Sequence, residues 1–201
     1  MNKLKIVKLD HSYSEQIQKI WVKSLPFNLK SMIGENIIKD YISFFLEKKI
    51  NLGVGLLLEK RLVGFVLFGN DKEIIRKLIK KKLSQIIYSF MKSIFFLNLK
   101  RFLNFIDCSI YILVSKEREK KFVLLNTELL IICISPSEQG KKYGSFLIKK
   151  SLENFKEFFS QYNGIIVKTL KKDQQNIAFY KKNNFEKIFE IFGRTYLKYS
   201  F

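Results

Sequence analysis

The sequence predicts an α/β (α+β) fold: a mixed, mostly antiparallel sheet flanked by helices, with a helical insertion. Three observations carry this. Runs with apolar residues at helical spacing and short, strand-like apolar runs are interleaved without strict strand–helix–strand alternation. The 201 residues are 47% hydrophobic and 15% aromatic, enough for a proper core, and two prolines and nine glycines argue against long flexible linkers. Residues 71–122 stand apart, with 13 Lys or Arg against five Asp or Glu. The chain is therefore expected to be a single domain, 1–201, with 71–122 as a basic helical insertion.

Leu4–Leu9 alternates in and out and reads as a strand. Ser14–Ser24 reads as a helix, with Ser14 as its cap and Ile17, Ile20 and Trp21 as its buried stripe. Pro26 ends it, and Leu25–Gly34 is a loop that exposes Phe27 and Leu29. Glu35–Lys48 is a second helix, with Ile37, Ile38, Tyr41, Phe44 and Phe45 inward. Gly53–Glu59 and Leu62–Phe68, joined by Lys60–Arg61, form an antiparallel hairpin.

Asp71 can cap a third helix, whose Ile74, Ile75, Leu78, Ile79, Leu83, Ile86 and Ile87 repeat at helical spacing. A second helical piece covers about 88–105. Then come a strand at Leu129–Ser135, a polar turn, a helix at Lys141–Ser160 and a strand at Ile165–Thr169. A short helix at Asn176–Asn183 and a hairpin, Phe185–Phe192 and Arg194–Phe201 with Gly193 at its tip, close the chain.

The net charge of +19 has two readings. It follows from a chain rich in lysine and poor in acids, and it also suits an anionic partner such as a phosphorylated cofactor. The chain shows no nucleic-acid-binding motif, so nucleic acid is not an expected partner. Cys108, Cys133 and the single His11 make neither a zinc pattern nor a disulfide framework, so no metal is expected and a reducing cytoplasm fits best. The first ten residues alternate charge and apolarity and read as a strand, not a signal peptide. No uncharged apolar run reaches the ~18 residues of a membrane span.

Thr127–Lys149 is the stretch with chemistry in it. A buried strand runs into a Gly-containing turn and then an amphipathic helix, and the free N–H groups at such a helix start attract an anion. Two motifs then stand in order: Gln139-Gly140-Lys141-Lys142-Tyr143-Gly144-Ser145 and Phe179-Tyr180-Lys181-Lys182-Asn183-Asn184-Phe185. With the element order β-α-α-β-β-β-α-β-α-β, these resemble the GNAT superfamily of N-acetyltransferases over the whole chain except the insertion.

That resemblance implies acetyl-CoA as acetyl donor. Gln139 to Ser145 would wrap its pyrophosphate with backbone N–H groups. Gly140 and Gly144 would allow close approach, and Lys141 and Lys142 would add charge. Lys142 departs from the family, which usually has glycine there; a lysine fits if its φ is negative. The strand from Glu128 would splay from Ile165–Thr169 and admit the pantetheine arm. Ile132, Cys133 and Ile134 would lie along that arm, with the N–H of Ile132 or Ile134 polarising the thioester carbonyl. Glu128 resembles the general base that deprotonates the acceptor amine, and Tyr180 the acid that protonates the leaving thiolate. Asn176 would hydrogen-bond the pantetheine amides.

The acceptor side is implied by the same resemblance. Leu25–Gly34 and the insertion would line the acceptor cleft, with Phe27 and Asn28 touching the acceptor. Together they look like a bacterial GNAT branch associated with surface-polysaccharide clusters, whose acceptors would be amino sugars on a nucleotide carrier. A protein N-terminal or lysine acetyltransferase and a degenerate GNAT binding module stand as alternatives. The insertion has three readings: a lid or packed element, a homodimer interface, or a basic membrane-surface anchor.

Overall fold

The computed structural model describes residues 4–25, 34–95, 127–191 and 193–201. Phe27, Asn28, Cys108 and the rest of the insertion from residue 96 to 122 lie outside the described residues. Seven strands and five helices are described, in one sheet of order β1-β2-β3-β4-β5-β7-β6. The strands are β1 (Leu4–Lys8), β2 (Leu52–Leu58), β3 (Arg61–Gly69), β4 (Thr127–Ile134), β5 (Gly164–Leu170), β6 (Glu186–Ile191) and β7 (Arg194–Ser200). The helices are α1 (Ser14–Ser24), α2 (Glu35–Leu46), α3 (Lys72–Phe95), α4 (Tyr143–Phe158) and α5 (Gln174–Lys182). Every neighbouring pair is antiparallel except β4 and β5, which run parallel. This is the mixed, mostly antiparallel sheet the sequence predicts.

The sheet separates two cores. On one face α1, α2 and the start of α3 bury Ile17, Trp21, Tyr41, Phe45 and Ile74 against Phe65 and Leu67. On the other, α4 buries Leu147, Leu152 and Phe155 against Val54, Val66 and Phe68, and Tyr180 of α5 joins them. The central β2 and β3 are covered on both faces, which explains their unbroken apolar runs.

Several expectations are corrected by packing. Ser14 is the first residue of α1, not its cap; Asp10 caps the short turn before it by accepting the Ser12 N–H at 2.8 Å. Ile42 joins the buried face of α2, and Phe44 packs half-buried against the same core with the Lys77 ammonium 3.8 Å from its ring centroid. At the start of α3 Asn70 also accepts the Lys72 N–H at 3.1 Å, and the Asp71 carboxylate accepts the Tyr41 hydroxyl at 3.0 Å. Asp173 caps α5 by accepting the Asn176 N–H at 3.1 Å, so the helix starts two residues before Asn176.

The larger correction concerns α3. Of its predicted inward stripe only Ile74 and Leu78 are buried. A kink at Lys82 (φ −124°, ψ 22°) breaks the helical phase, and Ile79, Leu83 and Ile87 are exposed. Equal spacing in sequence does not guarantee a common partner once the axis bends.

Candidate active site

The site forms where β4 parts from β5. Their pairing covers three rungs only: Thr127 with Ile165, Glu128 with Ile166 and Leu129 with Val167. Just past the last rung β4 carries a bulge. Leu67 of β3 faces Ile131 and Phe68 faces Leu129, so Leu130 is the extra residue. A bulge bends its strand and raises its twist. Here it also reverses the alternation, since Leu130 and Ile131 both pack on the α1–α2 face.

The peptide groups that border the gap follow from the register. Ser135 N–H donates to Val63 at 2.8 Å, which makes that a hydrogen-bonded pair. Antiparallel pairs alternate, so Gly64–Ile134 and Val66–Ile132 are non-hydrogen-bonded pairs. The N–H and C=O of Ile132 and Ile134 therefore point away from β3 and into the gap. The Ile134 carbonyl accepts Gln139 Nε2 and Ser24 Oγ there, each at 3.0 Å.

The turn after β4 leads to an open helix start. Lys142 precedes α4 with no side-chain cap bond, leaving the N–H groups of Tyr143, Gly144 and Ser145 at the helix end. Gly140 takes φ +80° and Lys142 takes φ +62°. Lys142 thus adopts the left-handed conformation that favours glycine, so the condition under which a lysine fits there, a negative φ, is not met. A Cβ on Gly144 would lie 3.3 Å from the Phe179 ring, so this glycine brings α4 against α5. Asn183 Nδ2 reinforces that contact, reaching Ser145 Oγ at 3.4 Å and the Phe179 carbonyl at 2.7 Å.

Glu138 supports this turn from beneath. It is buried, and its carboxylate binds Arg61 Nη2 and Lys141 Nζ, both at 2.8 Å. Lys141, then Arg61, hold its carboxyl below the usual range. The Lys141 ammonium is thus directed at Glu138. A cleft of about 930 Å³ opens beside these groups, lined by Gln16, Leu58, Glu59, Lys60, Arg61, Glu138, Lys141 and Tyr143.

Glu128 stands on the middle rung of the β4–β5 pairing, its Oε2 2.9 Å from Lys168 Nζ; both side chains are mostly buried. Tyr180 is buried between Phe179 and Phe185, whose ring centroids lie 5.3 and 5.5 Å away. Burial pushes its phenol well up, with Cys133 and Asp173 adding to the effect. Burial likewise pushes up the Cys133 thiol. Both groups stay protonated at neutral pH. Asn176 is exposed, and its Nδ2 donates to Asp173 Oδ2 at 2.6 Å.

Two residues around the site escape sequence reasoning. Lys168 leaves a trace, as the one charge in Gly164–Leu170. Arg61 leaves none, because it meets Glu138 across a wide sequence separation. Among the described residues no cluster of His, Cys, Asp and Glu could hold a metal, and no helix is long and apolar enough to cross a membrane.

Residues 106–187 match the family model of the acetyltransferase (GNAT) domain. No curated protein matches the chain. Solved structures align along nearly its full length. One is the PaiA N-acetyltransferase from Thermoplasma acidophilum in complex with coenzyme A, at 13% identity and TM-score 0.58 over 99% of each chain. Another is an acetyltransferase of the GNAT family from Streptococcus pneumoniae, at 10% identity and TM-score 0.59, covering 99% of this chain and 100% of that one. A third is the ribosomal-protein-S18-alanine N-acetyltransferase from Escherichia coli, at 11% identity and TM-score 0.56, covering 98% and 91%. At these identities the likeness is one of fold. The class is an α/β domain split between two parallel central strands. The fold is that of the GNAT acetyltransferases, and the chain from before β4 into β6 also matches the GNAT domain in sequence.

Proposed function

We propose that this protein is an N-acetyltransferase that moves the acetyl group of acetyl-CoA to a primary amine within a ternary complex. The observation that carries the reading is the gap between β4 and β5. It opens after three rungs and is bordered by the peptide groups of Ile132 and Ile134. A chain with amide groups suits such a gap, because it can pair with a strand edge as another strand would. The uncapped start of α4 suits a pyrophosphate. The residues present therefore fit acetyl-CoA, with Gln139–Ser145 at the pyrophosphate, Ile132–Ile134 along the pantetheine arm and Asn176 beside it.

Acetyl-CoA supplies an activated thioester. Glu128 accepts the proton that the acceptor ammonium must lose before its nitrogen can attack. The Ile132 N–H draws charge onto the carbonyl oxygen as the C–N bond forms. Tyr180 donates its proton to the sulfur as the C–S bond breaks, a role its raised affinity for that proton leaves open at neutral pH. Phe27 and Asn28 take part in acceptor binding. The acceptor we favour is a small amino sugar or a nucleotide-linked amine, because a basic insertion of this length suits a diphosphate-bearing molecule.

The test is acetyl-CoA turnover, read as free thiol, across amino-sugar nucleotides, polyamines and peptides, with a melting curve in acetyl-CoA alongside. The expected result is a raised Tm and thiol release with the amino-sugar nucleotides. Acetylation of peptides alone reverses the acceptor assignment. No heat stabilisation at saturating acetyl-CoA means a binding module without this cofactor.

A further inference from the structure

The last peptide group of β4, between Ile134 and Ser135, is bound on both sides. Its N–H donates to the Val63 carbonyl on β3 at 2.8 Å. Its carbonyl, on the gap side, accepts Gln139 Nε2 from the turn and Ser24 Oγ from α1, each at 3.0 Å. A carbonyl oxygen has two lone pairs, so both are taken. Ser24 comes from 110 residues away and belongs to neither sequence motif. It is half-buried and closes a helix end that is itself fixed. The Leu25 N–H donates to the Trp21 carbonyl at 2.8 Å, and the buried Trp21 ring lies 5.5 Å from Tyr41 and 6.1 Å from Phe65. Gln139, by contrast, is exposed.

We propose that Ser24 is a positioning residue for the amide chain of the cofactor, an inference that rests on the N-acetyltransferase reading above. With the Ile134 carbonyl occupied, the edge of β4 offers an arriving chain the N–H and C=O of Ile132 and the N–H of Ile134. Ser24 thus ends the ladder at a defined rung and holds its last peptide plane before the ligand arrives. An edge fixed in advance need not be ordered on binding, which favours affinity. Of the two donors Ser24 is the firmer, because it stands on a packed helix end while Gln139 is an exposed side chain on a turn. The pyrophosphate would rest elsewhere, on the start of α4 at Tyr143, Gly144 and Ser145. Loss of the Ser24 hydroxyl therefore weakens the hold on the pantetheine arm and spares the hold on the nucleotide.

The experiment is calorimetry of the full chain with acetyl-CoA and with 3′-phosphoadenosine 5′-diphosphate, which carries the nucleotide and pyrophosphate without the pantetheine arm. Ser24→Ala should weaken acetyl-CoA binding about fivefold, the size of one hydrogen bond, and leave nucleotide binding within about twofold of the parent. Ser24→Thr keeps a hydroxyl and should return acetyl-CoA binding to within about twofold of the parent. The Ile134 carbonyl keeps Gln139 in both variants, so melting curves without ligand should match the parent's. Parent-like acetyl-CoA binding by Ser24→Ala overturns the proposal. So does an equal loss for acetyl-CoA and for the nucleotide, which would mean a general loosening of the fold, or the absence of recovery in Ser24→Thr. A parent that does not bind acetyl-CoA at all sinks the N-acetyltransferase reading, and this proposal with it.

Discussion

The Glu128 carboxylate and the Lys168 ammonium meet at 2.9 Å across β4 and β5, one rung before the two strands part. In the proposed reaction the pair holds the base for the acceptor amine, and Lys168 Nζ also lies 5.9 Å from the Tyr196 ring centroid. Lys168 is a positioning residue, since it orients Glu128. Replacing Lys168 with Met leaves a mostly buried carboxylate without this cation. It should destabilise the fold by about 1–3 kcal/mol in urea unfolding. Lys168→Arg should recover most of that loss and of the turnover.

Glu128→Gln should lower turnover by roughly a hundredfold and abolish the acidic limb of the pH–rate profile. Acetyl-CoA affinity, read by calorimetry, should stay within about twofold, because in the proposed reading the carboxylate faces the acceptor. An unchanged profile assigns the base elsewhere.

Tyr180→Phe should likewise cost about a hundredfold in turnover with little change in acetyl-CoA affinity. Burial raises the phenol above its ordinary value. The sign follows: Tyr180 holds its proton past pH ~10, so no falling limb below that pH belongs to it. Turnover in Tyr180→Phe equal to the parent would remove it as the acid.

Lys142 keeps a left-handed backbone at φ +62°. Lys142→Gly should raise stability by about 1 kcal/mol, a Tm gain of roughly 2–4 °C for a domain of this size. Lys142→Ala keeps the strain and should give no such gain. If the lysine charge helps hold the pyrophosphate, both variants should weaken acetyl-CoA binding alike.

Glu190 on β6 is bound to Lys171 and Lys187, at 2.8 and 2.9 Å, and its carboxyl is lowered to about 2. A depressed folded-state pKa means a contribution present above the unfolded value and lost as pH falls through the folded one. Acid titration of stability should show this loss between pH ~4.5 and ~2. Glu190→Gln should flatten the curve in that window and lower stability at neutral pH, where the contribution is fully present.

Much of this protein is written in local pattern. The apolar periods of α1, α2 and α4 and the dense runs of β2 and β3 depend on neighbours within a few residues, so the elements can be read without the fold. The same is true of the Gly140–Gly144 turn and the Tyr180 segment, whose residue types fit a helix start and a short helix wherever they occur. These determined the fold class and the candidate cofactor.

What the tertiary structure decided depends on contacts that sequence distance hides. The bulge at Leu130 exists only against β3, and it is what turns Ile132 and Ile134 toward the gap. Arg61 reaches Glu138 from 77 residues away and anchors a turn that looks self-sufficient in sequence. The stripe of α3 reads as core from its spacing, yet only its first turns find a partner. Periodicity tells which residues share a face; only the packed fold tells what that face meets.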